Sequence, residues 1–224
     1  MLSTSLSYGS APEQMYERFG SSSDGRATLV LIHGGYWRAQ HDREHMRPLA
    51  LALAKLGWSV VLAEYRRSPY LPRETLFDIN TLLAALVAEP LILIGFSVGG
   101  QLALLTAGEH PNVQEVIALA PVTDLVATEK EELGEGAVWD WLHEPAQEHP
   151  DLDPSLSGSL GIPVTIFHGT SDVRVPIDHS RRYAQTQLKS GSNIRLKEIA
   201  GGGHFDLVDP LHPYFIELVE TLEA

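Results

Sequence analysis

Residues 91–105 read "LILIGFSVGGQLALL". A continuous apolar run of six residues ends at Ser97, and a helix-forming pattern starts directly behind it. Gly95 and Gly99, two positions either side of the serine, permit a sharp strand-to-helix turn that lifts the hydroxyl clear of the backbone. The N–H of Val98, at the first turn of the following helix, is then free to donate to a developing negative charge. A glycine-bracketed serine can also simply end a strand. The apolar run before it and the helical pattern behind it favour the nucleophile reading.

The rest of the chain carries the same rhythm. Short β-like runs recur at "TLVLI" (28–32), "WSVVLAEY" (58–65), "EVIALA" (115–120), "PVTIFHG" (163–169) and "IRLKEIA" (194–200). Strands this uniformly apolar are expected where both faces of a parallel sheet are covered. Between them, Met46, Leu49, Leu53 and Leu56 recur at helical spacing ahead of Gly57, a helix stop. Further helices are predicted over about 74–88, directly after Ser97, and over "HPYFIELVETL" behind Pro213. Strands alternating with helices imply right-handed βαβ units, and so a mostly parallel sheet with helices on both faces. Before Thr28 the chain offers only weak strands, "MYERF" (15–19) being the best.

A serine hydroxyl needs a base, and the base needs an orienting carboxylate. Asp172 stands just past the run 163–169, and His204 just past 194–200, behind three glycines. Asp124 and Asp178 compete for the acid role, but Asp172 lies in the loop adjoining the one that carries His204. His33 is read as fixing a turn, and His168 as ordering the loop of Asp172. "HGGYW" (33–37) frees backbone N–H groups behind a buried-looking strand. His41 and His45, four apart with Asp42 between them, could share a helical face toward a metal. No third ligand stands nearby, so an exposed helical face is expected there, with no metal.

The 224 residues, 44% hydrophobic, suit one domain spanning 1–224. Residues 121–162 break the rhythm: between Asp124 and Asp153 ten acidic residues face one basic residue, Lys130. This stretch is read as a small cap or loop insertion, and its indoles, Trp139 and Trp141, favour a cap over a solvated excursion. A net charge of −13 and a pI near 5.1 argue against nucleic acid or an anionic membrane as partner. There is no cysteine, so neither a disulfide framework nor thiolate chemistry is available. The first residues lack the basic and apolar regions of a secretory signal, and no apolar run approaches the roughly 18–20 residues of a membrane span. A cytoplasmic location is expected.

With the serine, acid and histidine in the order Ser97, Asp172, His204, the chain resembles the α/β-hydrolase superfamily over nearly its whole length. Within it, "HGGYW" and "GGHFDLV" (202–208) are similar to the kynurenine formamidase, or arylformamidase, group and its esterase relatives. Tyr36 stands where many of those esterases carry a further glycine, which pulls the match toward the formamidases. "EYRRSP" (64–69) is similar to a Tyr-Arg-x-x-Pro segment found in both groups and is read as structural, with Arg66 pairing with Asp78. The resemblance implies Ser97 as nucleophile, His204 as base and then acid, and Asp172 as its orienter. It also implies an oxyanion hole from the N–H groups of Gly35, Tyr36 and Val98.

The expected substrate is a small amide or ester, most closely an N-formyl arylamine such as N-formylkynurenine, with no cofactor; relatives are often homodimers. An aromatic leaving group would want a flat wall, for which Tyr36, Trp37, Trp139 and Trp141 are candidates, though ordinary packing competes for Trp37 above all. A short-chain carboxylesterase needs the same machinery. An inactive scaffold that binds a ligand or partner is the alternative from another class, and the complete set of catalytic residue types weighs against it.

Overall fold

The computed structural model describes residues 3–21 and 25–224. Met1, Leu2 and residues 22–24, parts of the expected 1–224 unit, lie outside the described residues. The chain runs β1 (Ser3–Ser7), β2 (Met15–Phe19), β3 (Thr28–Ile32), α1 (Arg47–Lys55), β4 (Val60–Ala63), α2 (Pro72–Ala85), β5 (Leu91–Phe96) and α3 (Val98–Thr106). It continues through β6 (Val113–Leu119), α4 (Leu125–Lys130), α5 (Leu133–Leu142), β7 (Val164–Gly169), α6 (Ile177–Lys189), β8 (Ile194–Ile199) and α7 (Tyr214–Leu222).

The strands form one eight-stranded sheet in the order β1-β2-β4-β3-β5-β6-β7-β8. β1 and β2 pair antiparallel with each other, as β2 does with β4, and every later pairing is parallel. The mostly parallel sheet is the one expected from the alternating pattern, and the whole is the α/β-hydrolase fold that the resemblance implied. Period-2 side-chain alternation sorts the strands into two cores. Val30, Ile32, Val61, Leu93 and Val116 join Ile79 and Leu83 of α2 and Leu102 of α3 on one face. Leu29, Leu31, Leu62, Ile94 and Ile117 join Leu49 and Leu53 of α1 and Leu218 of α7 on the other. Both faces are therefore covered, which is why β3, β4 and β5 are apolar at nearly every position. Residues 121–162 carry α4, α5 and three short 3-10 turns between β6 and β7.

Element ends differ from the sequence pattern for local reasons. α2 starts at Pro72, two residues early, because proline at a first-turn position has φ preset for the helix. Residues 43–46, expected to continue an exposed helical face, instead form a 3-10 turn capped by the Asp42 carboxylate, and α1 begins only at Arg47. Among the described residues, no helix is long and apolar enough to cross a membrane.

The sheet's centre depends on close backbone contact between β3 and the start of α3. A Cβ on Gly99 would lie 2.0 Å from the Ile32 carbonyl oxygen and 2.6 Å from that of His33. Both are main-chain atoms in the centre of the sheet and cannot turn aside. Gly99→Ala is accordingly expected to destabilise the fold by about 3 kcal/mol or more, above the usual overpacking cost. Urea unfolding would measure this, and a loss below about 1 kcal/mol would contradict the packing described.

Candidate active site

Ser97 occupies the turn between β5 and α3 with φ 55° and ψ −118°, a region that side chains other than glycine avoid. Its backbone is held from three sides: Ser97 N–H donates to Leu119 O (2.8 Å), and Ser97 O accepts from Gly100 N–H (3.0 Å) and Val122 N–H (3.2 Å). Although Ser97 sits at the N-cap of α3, its hydroxyl makes no capping hydrogen bond. The chain thus maintains a strained residue there and leaves its Oγ unspent.

His204 and Asp172 converge from the loops after β8 and β7. His204 Nδ1 lies 2.6 Å from Asp172 Oδ2. A carboxylate only accepts, so Nδ1 carries the proton and Nε2 is left as the imidazole's acceptor. The other oxygen, Oδ1, accepts from the N–H groups of Arg174 (2.8 Å) and Val175 (2.9 Å). His168 stands behind the pair, with Nε2 donating to Val175 O (2.8 Å) and lying 3.4 Å from Asp172 Oδ2 while Nδ1 accepts from Ser180. It orders the Asp172 loop, as the sequence suggested. Burial alone would push the Asp172 carboxyl up. Hydrogen bonds from His168 and His204, the positive charge of the His204 ring when it is protonated, and the Val175 N–H outweigh it and hold the carboxyl well below the usual range.

The rival acids are used elsewhere. Asp124 caps α4 through Ala127 N–H (2.8 Å), and Asp178 pairs with Arg181 on the surface of α6 (2.9 Å).

"HGGYW" turns sharply after β3, with φ of 122° at Gly35, 51° at Tyr36 and 55° at Trp37. Among the described residues, none accepts a hydrogen bond from the N–H groups of Gly35, Tyr36 or Val98. The loop is pinned from below by the 64–69 segment. Tyr65 OH donates to His33 O (2.6 Å) and its ring stacks on that of His33 at 4.3 Å. His33 Nδ1 donates to Gly34 O (2.7 Å), the turn-fixing role expected of it, and Nε2 lies 3.2 Å from Glu64. Glu64 is also held by Arg43 and Arg67. Burial would raise this carboxyl, but His33 and Arg67 keep it well below the carboxylate range. Arg66 pairs with the buried Asp78 at 2.6 Å, so "EYRRSP" acts as structural support.

Ser97 and His204 open on one cavity of about 240 Å³, walled by Gly35, Tyr36, Phe96 and Phe205. Tyr36 OH donates to Arg174 O (2.8 Å), tying the two loops together, and burial pushes this phenol up to about 12. Val98 is buried and is not part of the lining. The indoles expected as a flat wall are elsewhere. Trp37 and Trp141 stack on each other at 4.4 Å and are buried, with Trp37 Nε1 donating to Gln101 (3.1 Å), while Trp139 is half exposed outside the cavity. Packing accounts for the buried pair, and phenyl rings supply the aromatic surface instead. Arg38, Glu135 and Arg174 also reach the cavity, with no signal in the local sequence to mark them, as do His41 and His45, which the sequence reading left on an exposed helical face. Burial lowers His45 to about 4, so it is neutral at physiological pH. Among the described residues, no group of three or more His, Cys, Asp or Glu side chains could hold a metal ion.

The sequence pattern of the prolyl oligopeptidase family matches residues 83–210, from the end of α2 through the His204 loop. The chain belongs to the prolyl oligopeptidase family. This family segment contains Ser97, Asp172 and His204, whereas "HGGYW" lies outside it. No curated protein matches the chain by sequence. Among solved structures, esterase B from Lactobacillus rhamnosis superposes with a TM-score of 0.80 at 20% identity, over 97% of this chain and 83% of that one. A thermophilic esterase from Thermogutta terrifontis gives 0.77 at 20% identity, over 98% and 90%. An acetyl ester-xyloside bifunctional hydrolase from Caldicellulosiruptor lactoaceticus gives 0.76 at 23% identity, over 93% and 85%. At such identities the likeness is one of fold alone.

The depressed Asp172 carboxyl links stability to pH. Its stabilising contribution is fully present above the ordinary aspartate range, near pH 4, and is lost as pH falls below it. The stability gap between wild type and Asp172→Asn, measured by urea unfolding, is expected to be wide at pH 7 and to narrow by pH 3. A gap that widens on acidification would contradict the assignment.

Proposed function

We propose that this chain is a serine hydrolase working through an acyl-enzyme, and that its substrate is an N-formyl arylamine of the N-formylkynurenine type. The carrying observation is the strained, uncommitted Ser97 sharing a small cavity with a His204 imidazole that Asp172 orients at 2.6 Å. Ser97 Oγ attacks the formyl carbon as His204 Nε2 takes its proton. The carbonyl oxygen becomes an oxyanion that receives the N–H groups of Gly35, Tyr36 and Val98. His204 then returns the proton to the amide nitrogen, the C–N bond breaks and the arylamine leaves. Water, deprotonated by His204, attacks the formyl ester; its C–O bond to Ser97 breaks, and formate departs as Ser97 regains a proton.

Size and lining support the formyl group. A cavity of about 240 Å³ is below the usual range of ligand pockets, roughly 300–1,000 Å³, and a formyl group needs almost no acyl pocket. Phe96, Phe205 and Tyr36 offer ring surfaces to an aromatic leaving group. In this reading the 121–162 segment, which reaches the cavity at Gly134 and Glu135, is its cap.

A short-chain carboxylesterase is the second reading, favoured by the esterase names of two superposed structures. The family is named for oligopeptide cleavage, and ester and amide hydrolysis need the same groups; the amide depends more on the proton from His204.

Ser97→Ala should lower kcat for p-nitrophenyl acetate by on the order of 10⁴-fold or more, and wild-type turnover in that variant would refute the mechanism. Comparing kcat/KM for N-formylkynurenine with that for p-nitrophenyl acetate and butyrate separates the two readings. The formamide is expected to be preferred, and ester turnover without formate release would leave the carboxylesterase.

A further inference from the structure

Arg67 is buried to all but 7% of its surface, yet only part of its guanidinium is used. Nη1 is shared among Glu64, the Tyr65 carbonyl and His33. Glu64 is the carboxylate partner of Arg67 and is shared in turn with Arg43. Nε is buried without a hydrogen-bond partner, and Nη2 makes no hydrogen bond among the described residues. These two nitrogens form one edge of the guanidinium, whose parallel N–H groups can meet a carboxylate bidentately. Burying a charged group with donors unused is costly. An edge left bare at this depth therefore calls for an acceptor from outside the protein.

Arg67 lines a cavity of about 310 Å³ beside the "HGGYW" turn. Tyr36 and Arg38 line both this cavity and the one that holds Ser97, so they stand as the partition between them. The volume falls within the usual range of ligand pockets, roughly 300–1,000 Å³. Trp37, Ala39, Pro69 and Trp141 supply apolar wall. Asp140 also lines the cavity, but its carboxylate pairs with Arg38 at 3.2 Å, which leaves Arg67 as the buried cation with donors to spare. Neither a serine nor a histidine is among the lining residues, so the cavity is built to bind rather than to react.

The geometry points to a second binding site in this cavity, for a short-chain carboxylate whose head group accepts from Nε and Nη2 of Arg67 while its alkyl chain lies against Trp37, Pro69 and Trp141. A neutral ligand would leave the guanidinium edge without an ionised acceptor, and a fully hydrated inorganic anion would leave the apolar wall uncovered. Ser97 takes no part in this binding, so the site stands whether the neighbouring cavity cleaves an amide or an ester.

Calorimetric titration of the full chain in low-salt buffer tests the site without requiring turnover. Butyrate is the probe, and butyramide is its neutral counterpart of the same shape. Butyrate is expected to bind at least about tenfold more tightly than butyramide, as hydrogen bonds to an ionised acceptor imply. Arg67→Lys keeps a charge for Glu64 but loses the two-donor edge, and should weaken butyrate binding several-fold. Ala39→Phe, at an exposed position of the lining, leaves the Arg67 cluster intact and should abolish binding by filling the cavity. Thermal melting confirms that each variant folds, and Ala39→Phe alone decides the matter if Arg67→Lys does not. Equal affinities for butyrate and butyramide, no saturable butyrate binding at millimolar concentration, or butyrate affinity unchanged in either folded variant would overturn the proposal.

Discussion

The structure depends on one tight junction, where β5 turns into α3 and α3 begins against the backbone of β3. The left-handed conformation of Ser97 is possible because its main chain is bonded to Leu119, Gly100 and Val122, and because Gly99 leaves room for the Ile32 and His33 carbonyls. Strain of about 1–3 kcal/mol at one residue is sustained by a sheet packed on both faces. The same contact places the "HGGYW" turn, which follows directly from His33, beside the serine. Candidate nucleophile and candidate oxyanion donors are therefore positioned by one packing event.

Electrostatics in this acidic chain follow from how its charges are paired. Below the "HGGYW" loop, Glu64 is surrounded by His33, Arg43 and Arg67, and Asp78 is matched by Arg66 and Gln14. Buried carboxylates need such partners, since an unpaired charge there would be expensive. These clusters hold the loop that faces the serine.

Much of this was legible in the sequence because it is written in local patterns. The apolar runs gave β3 and β5 to the residue, since those strands are buried on both faces and have no polar alternation to blur their ends. Ser97, Asp172 and His204 could be picked out because each follows a strand, and chain order then brings their loops to one sheet edge. Arg66 with Asp78 and the support roles of His33 and His168 were also readable. What the sequence could not show depends on long-range geometry. The indoles looked suited to a substrate wall, yet Trp37 and Trp141 find each other across 104 residues of chain and pack face to face. His41 and His45 fitted an exposed helix, but the Asp42 cap and a 3-10 turn bring them to the cavity. Glu135 and Arg174 stand in different loops, and only the fold brings them to one space.

The proposed mechanism depends on Ser97 being an activated nucleophile, with its proton taken by the His204 that Asp172 orients. Incubation with a fluorophosphonate, followed by intact mass and peptide mass spectrometry, tests that claim directly. Stoichiometric, rapid phosphonylation at Ser97 is predicted, slowed by orders of magnitude in His204→Ala. Absence of labelling, or labelling at another serine, would contradict it.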